Sequence, residues 1–149
     1  MGFLSKLFGN SSIEENENMT NVKLAVIYYS MGGTNYKLSK WAEEGAKEAG
    51  AEVKVLKVPE LAPQSAIEGN PVWKATVEAT KDVPEVKLDD LEWADAIIFS
   101  VPTRFGNMPS QMKQFLDTTG GLWFNGKLTN KVVSAMTSAQ NAHGGQEAT

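Results

Sequence analysis

Residues 96–108 read Ala-Ile-Ile-Phe-Ser-Val-Pro-Thr-Arg-Phe-Gly-Asn-Met and contain the only arginine of the chain, Arg104. The short apolar run of residues 96–101 is bounded by turn-forming residues, which is typical of a strand buried on both faces of a parallel sheet. Ligands of open parallel sheets bind beyond the carboxyl ends of such strands. Residues 102–108 therefore form a candidate binding loop.

The chain around this stretch alternates predicted strands with predicted helices from Val22 onward. The apolar and alternating runs predict strands at residues 23–29, 52–58, 94–101 and 131–138. A helix with Trp41 in its apolar stripe follows the first strand and ends near Gly50. Trp41 is expected in the core.

The remaining connections are less regular. Residues 59–91 contain four prolines and predict a long connection with one short helix near residues 72–79. A second helix is predicted at residues 109–118, with Met112, Phe115 and Leu116 as its inner stripe and Gly120-Gly121 as its stop. Residues 139–149 are expected to form an open loop.

This alternation predicts an α/β fold built from parallel βαβ units with right-handed crossovers. Three loops, at residues 30–35, 102–108 and 138–145, leave the carboxyl ends of strands. They are expected to meet on one rim of the sheet, which is where a site is expected.

Composition limits the function classes. A chain of 149 residues with 42% hydrophobic content can bury one core. Its formal charge of −4 and its scattered lysines argue against a nucleic-acid surface. The chain has no cysteine and one histidine, which argues against a metal site and fits a cytoplasmic location.

The first 21 residues differ from the rest of the chain. Residues 1–8 are apolar but too short to span a bilayer, and residues 9–18 are polar and acidic. Two interpretations are open: a weak interfacial anchor, or an unstructured tail upstream of a start at Met19. We expect residues 1–21 to be a disordered or weakly amphipathic tail without firm membrane association.

The loop at residues 30–35 predicts the charge of the ligand. Ser30, Gly32, Gly33, Thr34 and Asn35 offer hydroxyls and backbone N–H groups before a helix N-terminus, where peptide dipoles favour an anion. The spacing fits neither the P-loop nor the dinucleotide glycine pattern and favours a monophosphate. The alternative is that the glycines only make a tight strand-to-helix turn.

Together the three loops resemble the flavodoxin-like fold, and within it the WrbA-type family of FMN-dependent NAD(P)H:quinone oxidoreductases. The resemblance covers residues 22–149 and is strongest over residues 102–108, Gln111-Met112, residues 115–117 and residues 120–123. It implies a doubly wound parallel sheet with strand order 2-1-3-4. Family members continue through another helix, a fifth strand and a last helix, so residues 22–149 are expected to form an incomplete FMN-binding domain.

The resemblance also implies site residues. The FMN phosphate would be held by Ser30, Met31, Gly32, Gly33, Thr34 and Asn35. The isoalloxazine would be lined by Thr103, Arg104 and Phe105, within a loop that also contains Pro102, Gly106 and Asn107. The polar edge of the ring would be closed by Ser138, Ala139, Gln140, Asn141, His143 and Gly144.

The implied reaction is hydride transfer from NAD(P)H to N5 of FMN, followed by two-electron reduction of a quinone. The cofactor carries this chemistry, so no side chain is expected to be catalytic. Arg104 either stabilises the negative charge of reduced FMN or packs as a surface arginine. Trp123 either contacts substrate or packs in the core, and His143 is expected to be a solvated loop residue. The family also implies a homo-oligomer, either a dimer or a tetramer.

Two alternatives to the enzyme remain open. A flavodoxin-type carrier would bind FMN on the same fold but pass single electrons. A fragment that binds flavin weakly or not at all would expose the edge of its fourth strand and one uncovered face of the sheet. A phospho-receiver is excluded because the first strand ends in Tyr-Tyr-Ser, without the acidic cluster that Mg²⁺ needs.

Overall fold

A four-stranded parallel sheet organises the fold. The computed structural model describes residues 21–149 and places the strands in the order β2-β1-β3-β4. The strands are β1 (Lys23–Tyr28), β2 (Glu52–Lys57), β3 (Ala96–Pro102) and β4 (Val132–Ser138), and each neighbouring pair is parallel. This confirms the predicted α/β fold and its strand order. The predicted tail lies outside the described residues apart from Asn21.

The central strand β1 is buried along almost its whole length because it lies between β2 and β3. Ala25 and Ile27 are fully buried in a core that also contains Leu91, Met112 and Phe115. Val26, whose side chain points to the opposite face of the sheet, is fully buried as well. Burial on both faces explains why this strand is a continuous apolar run rather than an alternating one.

Six helices are present among residues 21–149. They are α1 (Thr34–Glu48), α2 (Gln64–Glu68), α3 (Pro71–Ala79), α4 (Leu88–Trp93), α5 (Ser110–Asp117) and α6 (Gly120–Phe124). A 3₁₀ turn, Gln146–Ala148, lies in the segment that was expected to be an open loop. The long connection therefore holds three helices rather than one. Two of them, α2 and α4, are too short to show a helical period in the sequence.

The end of α5 corrects a second prediction. Gly120-Gly121 does not stop this helix but begins α6. Instead, Thr118 Oγ1 donates to the carbonyl of Phe115 at 2.6 Å, and Thr119 Oγ1 donates to that of Leu116 at 2.8 Å. The two threonines satisfy carbonyls that the helix leaves free at its end.

The buried face of α1 also differs from the prediction. Trp41 is 63% exposed, so its assignment to the core is wrong. The helix instead buries Asn35 and Ser39 against the sheet. Small polar residues allow α1 to lie close to the strands and to hydrogen-bond with them, which an apolar period does not reveal.

Strand β4 is the least covered strand of the described residues. Within residues 21–149 it pairs only with β3. Val132 and Val133 point to opposite faces of the sheet, and both are exposed. The first half of β4 is therefore exposed on both faces in this part of the chain, rather than on the one face that was expected.

The buried centre of the sheet gives a stability prediction. Replacing Ile27 with Ala removes fully buried methylenes and leaves a cavity, so we expect the free energy of unfolding to fall by about 2–5 kcal/mol. Denaturant titration followed by circular dichroism measures this value. Leu61→Ala, at an exposed loop residue, is the matched control and is expected to cost far less. Equal losses from the two variants would contradict the placement of the core.

Candidate functional site

A cleft of about 740 Å³ opens at the carboxyl ends of β1, β3 and β4. It is lined by Ser30, Met31, Gly32, Thr34, Asn35, Pro102, Thr103, Arg104, Phe105, Ser138, Ala139, Gln140, Asn141 and Gly144. All of these belong to the residues singled out in the sequence. Gly33, Gly106, Asn107 and His143 lie in the same loops but do not line the cleft. The structure thus brings the three loops together, while the roles of the individual residues stay predictions.

The first loop presents unengaged donors. Gly33 adopts the left-handed conformation, with φ of 84°, and turns the chain into α1. The first hydrogen bond of α1 runs from Lys37 N to Gly33 O, so the N–H groups of residues 34–36 have no intrahelical acceptor. Within the described residues, the hydroxyls of Ser30 and Thr34 also make no hydrogen bond. These donors and the dipole of the 15-residue helix fit the predicted anion site, which stays a prediction.

Gly32 keeps this loop open to a ligand. A Cβ placed on Gly32 would meet no atom within 4 Å, so space lies directly against its backbone. A phosphate can therefore approach the peptide N–H groups of the turn closely. Gly32 lines the cleft and Gly33 does not, and the phosphate-binding role of this turn stays a prediction.

Asn35 makes the hydrogen bonds that join the elements around the site. Its side chain is 1% exposed, and its Nδ2 donates to Ser100 Oγ at 3.2 Å. Ser138 Oγ donates to Asn35 Oδ1 at 2.6 Å, and Ser39 Oγ donates to Asn35 O at 2.8 Å. The side chains of Asn35 and Ser138, both predicted to face the cofactor, are thus engaged with each other. Sequence reasoning missed Ser100, whose only signal was a polar residue inside an apolar run.

The second loop is a tight turn, and the side chain of Arg104 in it reaches the first loop. Arg104 N donates to Asn107 O at 2.7 Å, and Asn107 N donates to Arg104 O at 3.0 Å. Phe105 and Gly106 have φ of 53° and 74°, the signs of a type I′ turn. This geometry leaves the Phe105 ring fully exposed.

The Arg104 guanidinium bridges two of the loops. Nη1 donates to the carbonyl of Thr103 at 3.2 Å, and Nη2 lies 3.5 Å from the sulfur of Met31. Among residues 21–149, Arg104 forms no ion pair with a carboxylate. Its positive charge is therefore available to an anionic or electron-rich ligand in the cleft.

The third loop closes against the second. Thr103 N donates to Ser138 O at 2.9 Å, which extends the pairing of β3 with β4. Gly145, with φ of 101°, approaches Gly106 so closely that a Cβ on Gly145 would lie 2.7 Å from Gly106 Cα. Gly145 was not among the predicted site residues. Only a glycine fits both this conformation and this contact.

Trp123 lies apart from the cleft. It is in α6, is 74% exposed and does not line the cleft. Core packing is therefore not its role among the described residues. Its predicted contact with substrate stays a prediction.

A parallel 2-1-3-4 sheet with a cleft at its carboxyl edge and a glycine turn that leads from β1 into α1 defines a flavodoxin-like α/β protein. Residues 22–149 match the family model described as NADPH-dependent FMN reductase, and the chain belongs to this family. No helix among residues 21–149 is long and apolar enough to cross a membrane.

Relatives and solved structures agree with this placement. The chain is 60% identical over 128 residues to a Deinococcus radiodurans protein named NAD(P)H dehydrogenase (quinone), a match that covers 86% of this chain and 64% of that protein. It is 45% identical over 127 residues to a protein of the same name from Archaeoglobus fulgidus, covering 85% and 66%. The chain thus spans about two thirds of the length of these relatives.

The fold is similar to the crystal structure of a flavodoxin, WrbA-like protein from Agrobacterium tumefaciens. The TM-score is 0.62 at 25% identity, covering 87% of this chain and 67% of that one. A putative flavoprotein from Bacteroides eggerthii gives a TM-score of 0.50 at 17% identity, which supports the fold alone. The resemblance to the WrbA-type family inferred from the three loops is confirmed.

The hydrogen bonds of Asn35 give a second stability prediction. Asn35→Ala leaves the buried hydroxyl of Ser100 without its donor and removes the acceptor of Ser138, so we expect a loss of about 2 kcal/mol in the free energy of unfolding. Ser138→Ala should cost less, and the double variant should cost less than the sum of the two. Thr34→Ala, at an exposed neighbour without a side-chain hydrogen bond, is the control. Additive losses in the double variant would contradict a shared network.

Two buried tyrosines at the end of β1 give a prediction for alkaline pH. Burial raises the pKa of Tyr28 and of Tyr29 above the usual range of tyrosine, and the Glu60 carboxylate adds to the rise for Tyr29. Since the folded pKa lies above the unfolded value, this contribution to stability is complete below about pH 10 and is lost above it. Each tyrosine should lower the free energy of unfolding by up to about 1.4 kcal/mol per pH unit there. Denaturant unfolding from pH 8 to 12 measures the slope, which should flatten in the Tyr28→Phe/Tyr29→Phe variant.

Proposed function

We propose that the chain forms the FMN cleft of an NAD(P)H:quinone oxidoreductase. The observation that carries the proposal is the cleft itself, which brings together the start of α1 and the guanidinium of Arg104. Among residues 21–149 the first N–H groups of α1 have no intrahelical acceptor and Arg104 has no ion-pair partner. The names of the relatives, NAD(P)H dehydrogenase (quinone), supply the reaction class. The chain spans about two thirds of those proteins, so the reaction is proposed for the protein that contains this cleft.

The first loop fits a phosphate monoester. The Ser30 and Thr34 hydroxyls and the N–H groups at the start of α1 supply several donors to one anion, and the helix dipole favours its charge. Gly32 leaves room for the oxygens to approach the backbone. These residues would hold the phosphate of FMN.

The second and third loops fit the flavin ring. Thr103, Arg104 and Phe105 would lie along the isoalloxazine, and residues 138–141 would face its polar edge. When bound, FMN supplies the redox chemistry by accepting a hydride from NAD(P)H and reducing a quinone by two electrons. Arg104 would stabilise the negative charge that the reduced ring carries, because a fixed positive charge favours the anionic form.

Substrate contacts and assembly form a further part of the proposal. The exposed Trp123 side chain would contact the quinone, directly or across a contact between copies of the chain. A homo-oligomer and a cytoplasmic location are proposed on the resemblance to the family. No side chain of the described residues is proposed as the proton donor.

Flavin titration and rapid kinetics test the proposal. FMN added to the purified chain should lose its fluorescence with saturation, and the flavin bands should shift. NADH or NADPH should then bleach the bound flavin rapidly, and a benzoquinone should restore the colour. Absence of quenching would overturn the proposal, and FMN binding without reduction by either nucleotide would favour the one-electron carrier.

The proposed phosphate contacts give a binding prediction. Ser30→Ala and Thr34→Ala each remove one charge-assisted hydrogen bond, so we expect the Kd for FMN to rise about tenfold for each variant. Riboflavin, which lacks the phosphate, should bind these variants as it binds the unmodified chain. Fluorescence quenching measures both constants. Thr129→Ala, outside the three loops, is the control and should leave both unchanged. A parallel loss for riboflavin would contradict the placement of the phosphate.

A further inference from the structure

The Glu60 carboxylate lies outside the lining of the cleft, shortly after β2, and accepts hydrogen bonds from five donors. Its Oε2 accepts from Tyr29 Oη and Trp73 Nε1, each at 3.1 Å. Its Oε1 accepts from Gln111 Nε2 at 2.7 Å and from the N–H groups of Leu61 and Ala62 at 2.9 and 3.0 Å. Every donor is neutral, and Glu60 forms no ion pair among residues 21–149.

This donor set requires a carboxylate. Partial burial of a charged group costs free energy unless hydrogen bonds replace those that water made. Here the five donors replace them. Both oxygens accept at least two hydrogen bonds. A glutamine has the same shape but only one accepting oxygen, so its amide group would face N–H donors.

The side-chain donors come from the residue before the first loop and from two helices outside the cleft. Tyr29 directly precedes Ser30, the first residue of the phosphate-binding turn, and its own N–H donates to Ser100 O at 3.0 Å. Gln111 is in the first turn of α5, which follows the second loop in the sequence. Its Nε2 also donates to Tyr29 Oη at 3.0 Å. Trp73 belongs to α3 of the long connection. Glu60 thus joins the start of the first loop to two helices outside the cleft.

We propose that Glu60 is a positioning residue for the phosphate end of the FMN site, acting through Tyr29 on Ser30 and the N-terminus of α1. This inference rests on the proposed function. The Tyr29 side chain is held on one side by Glu60 and Gln111, and its backbone is held on the other by Ser100. The turn that follows therefore starts from a residue that three hydrogen bonds hold in place. Donors aimed in advance bind an anion more tightly than donors that must be ordered on binding.

The test compares FMN with riboflavin, because only FMN carries the phosphate. In the full chain with Glu60→Gln, the Kd for FMN should rise about tenfold while the Kd for riboflavin changes less than about twofold. Glu85→Gln is the matched control, since Glu85 lines the same small cavity as Glu60 and its exposed side chain accepts no hydrogen bond among the described residues. It should leave both constants unchanged.

A second variant keeps the test decisive if Glu60→Gln does not fold. Tyr29→Phe keeps the ring and removes only the hydroxyl, so it should raise the Kd for FMN about threefold and spare riboflavin. The double variant should bind FMN no more weakly than Glu60→Gln alone, because both changes break one linkage.

Two outcomes overturn the inference alone. In the first, the unmodified chain prefers FMN over riboflavin and both variants keep that preference in full. In the second, the variants weaken both flavins in parallel, which marks general destabilisation. If the unmodified chain binds neither flavin, the proposed function fails and the inference fails with it.

Discussion

The site depends on one buried carboxamide. Asn35 donates to Ser100 on β3 and accepts from Ser138 at the end of β4, while its own position is fixed at the start of α1. Three elements that are far apart in sequence are thus held by one side chain that uses a donor and an acceptor at once. In a buried setting these hydrogen bonds are strong and a missing partner is costly, so the arrangement of the strand ends is well defined.

Polar groups in this fold are divided between two tasks. Some, such as Asn35 with Ser100 and Glu60 with Tyr29, are hydrogen-bonded within the protein and hold the loops. Others, such as the hydroxyls of Ser30 and Thr34 and the guanidinium of Arg104, belong to cleft-lining residues and have few or no partners among residues 21–149. The internal hydrogen bonds leave the cleft-lining groups available for a ligand, because the loops do not need those groups for their own stability.

The sequence predicted the sheet and the rim well because both follow from simple regularities. Continuous apolar runs mark strands buried on both faces, and parallel strands place their following loops on one edge. Trp41 was misplaced because α1 packs through Asn35 and Ser39, so its apolar period does not mark its buried face. The Glu60 cluster was missed because its members, including Tyr29 and Gln111, are separated by long stretches of chain and have no common motif.

No lysine of the described residues 21–149 lines the cleft, which affects how binding should respond to solution conditions. A site built on lysine attracts its anion through a mobile charge that salt screens and acetylation removes. In the proposed site at the first loop the attraction comes from backbone N–H groups, hydroxyls and the N-terminus of α1, which act at short range and carry no mobile charge. We therefore expect the affinity for an anion at this loop to fall less steeply with ionic strength than at a lysine-based site.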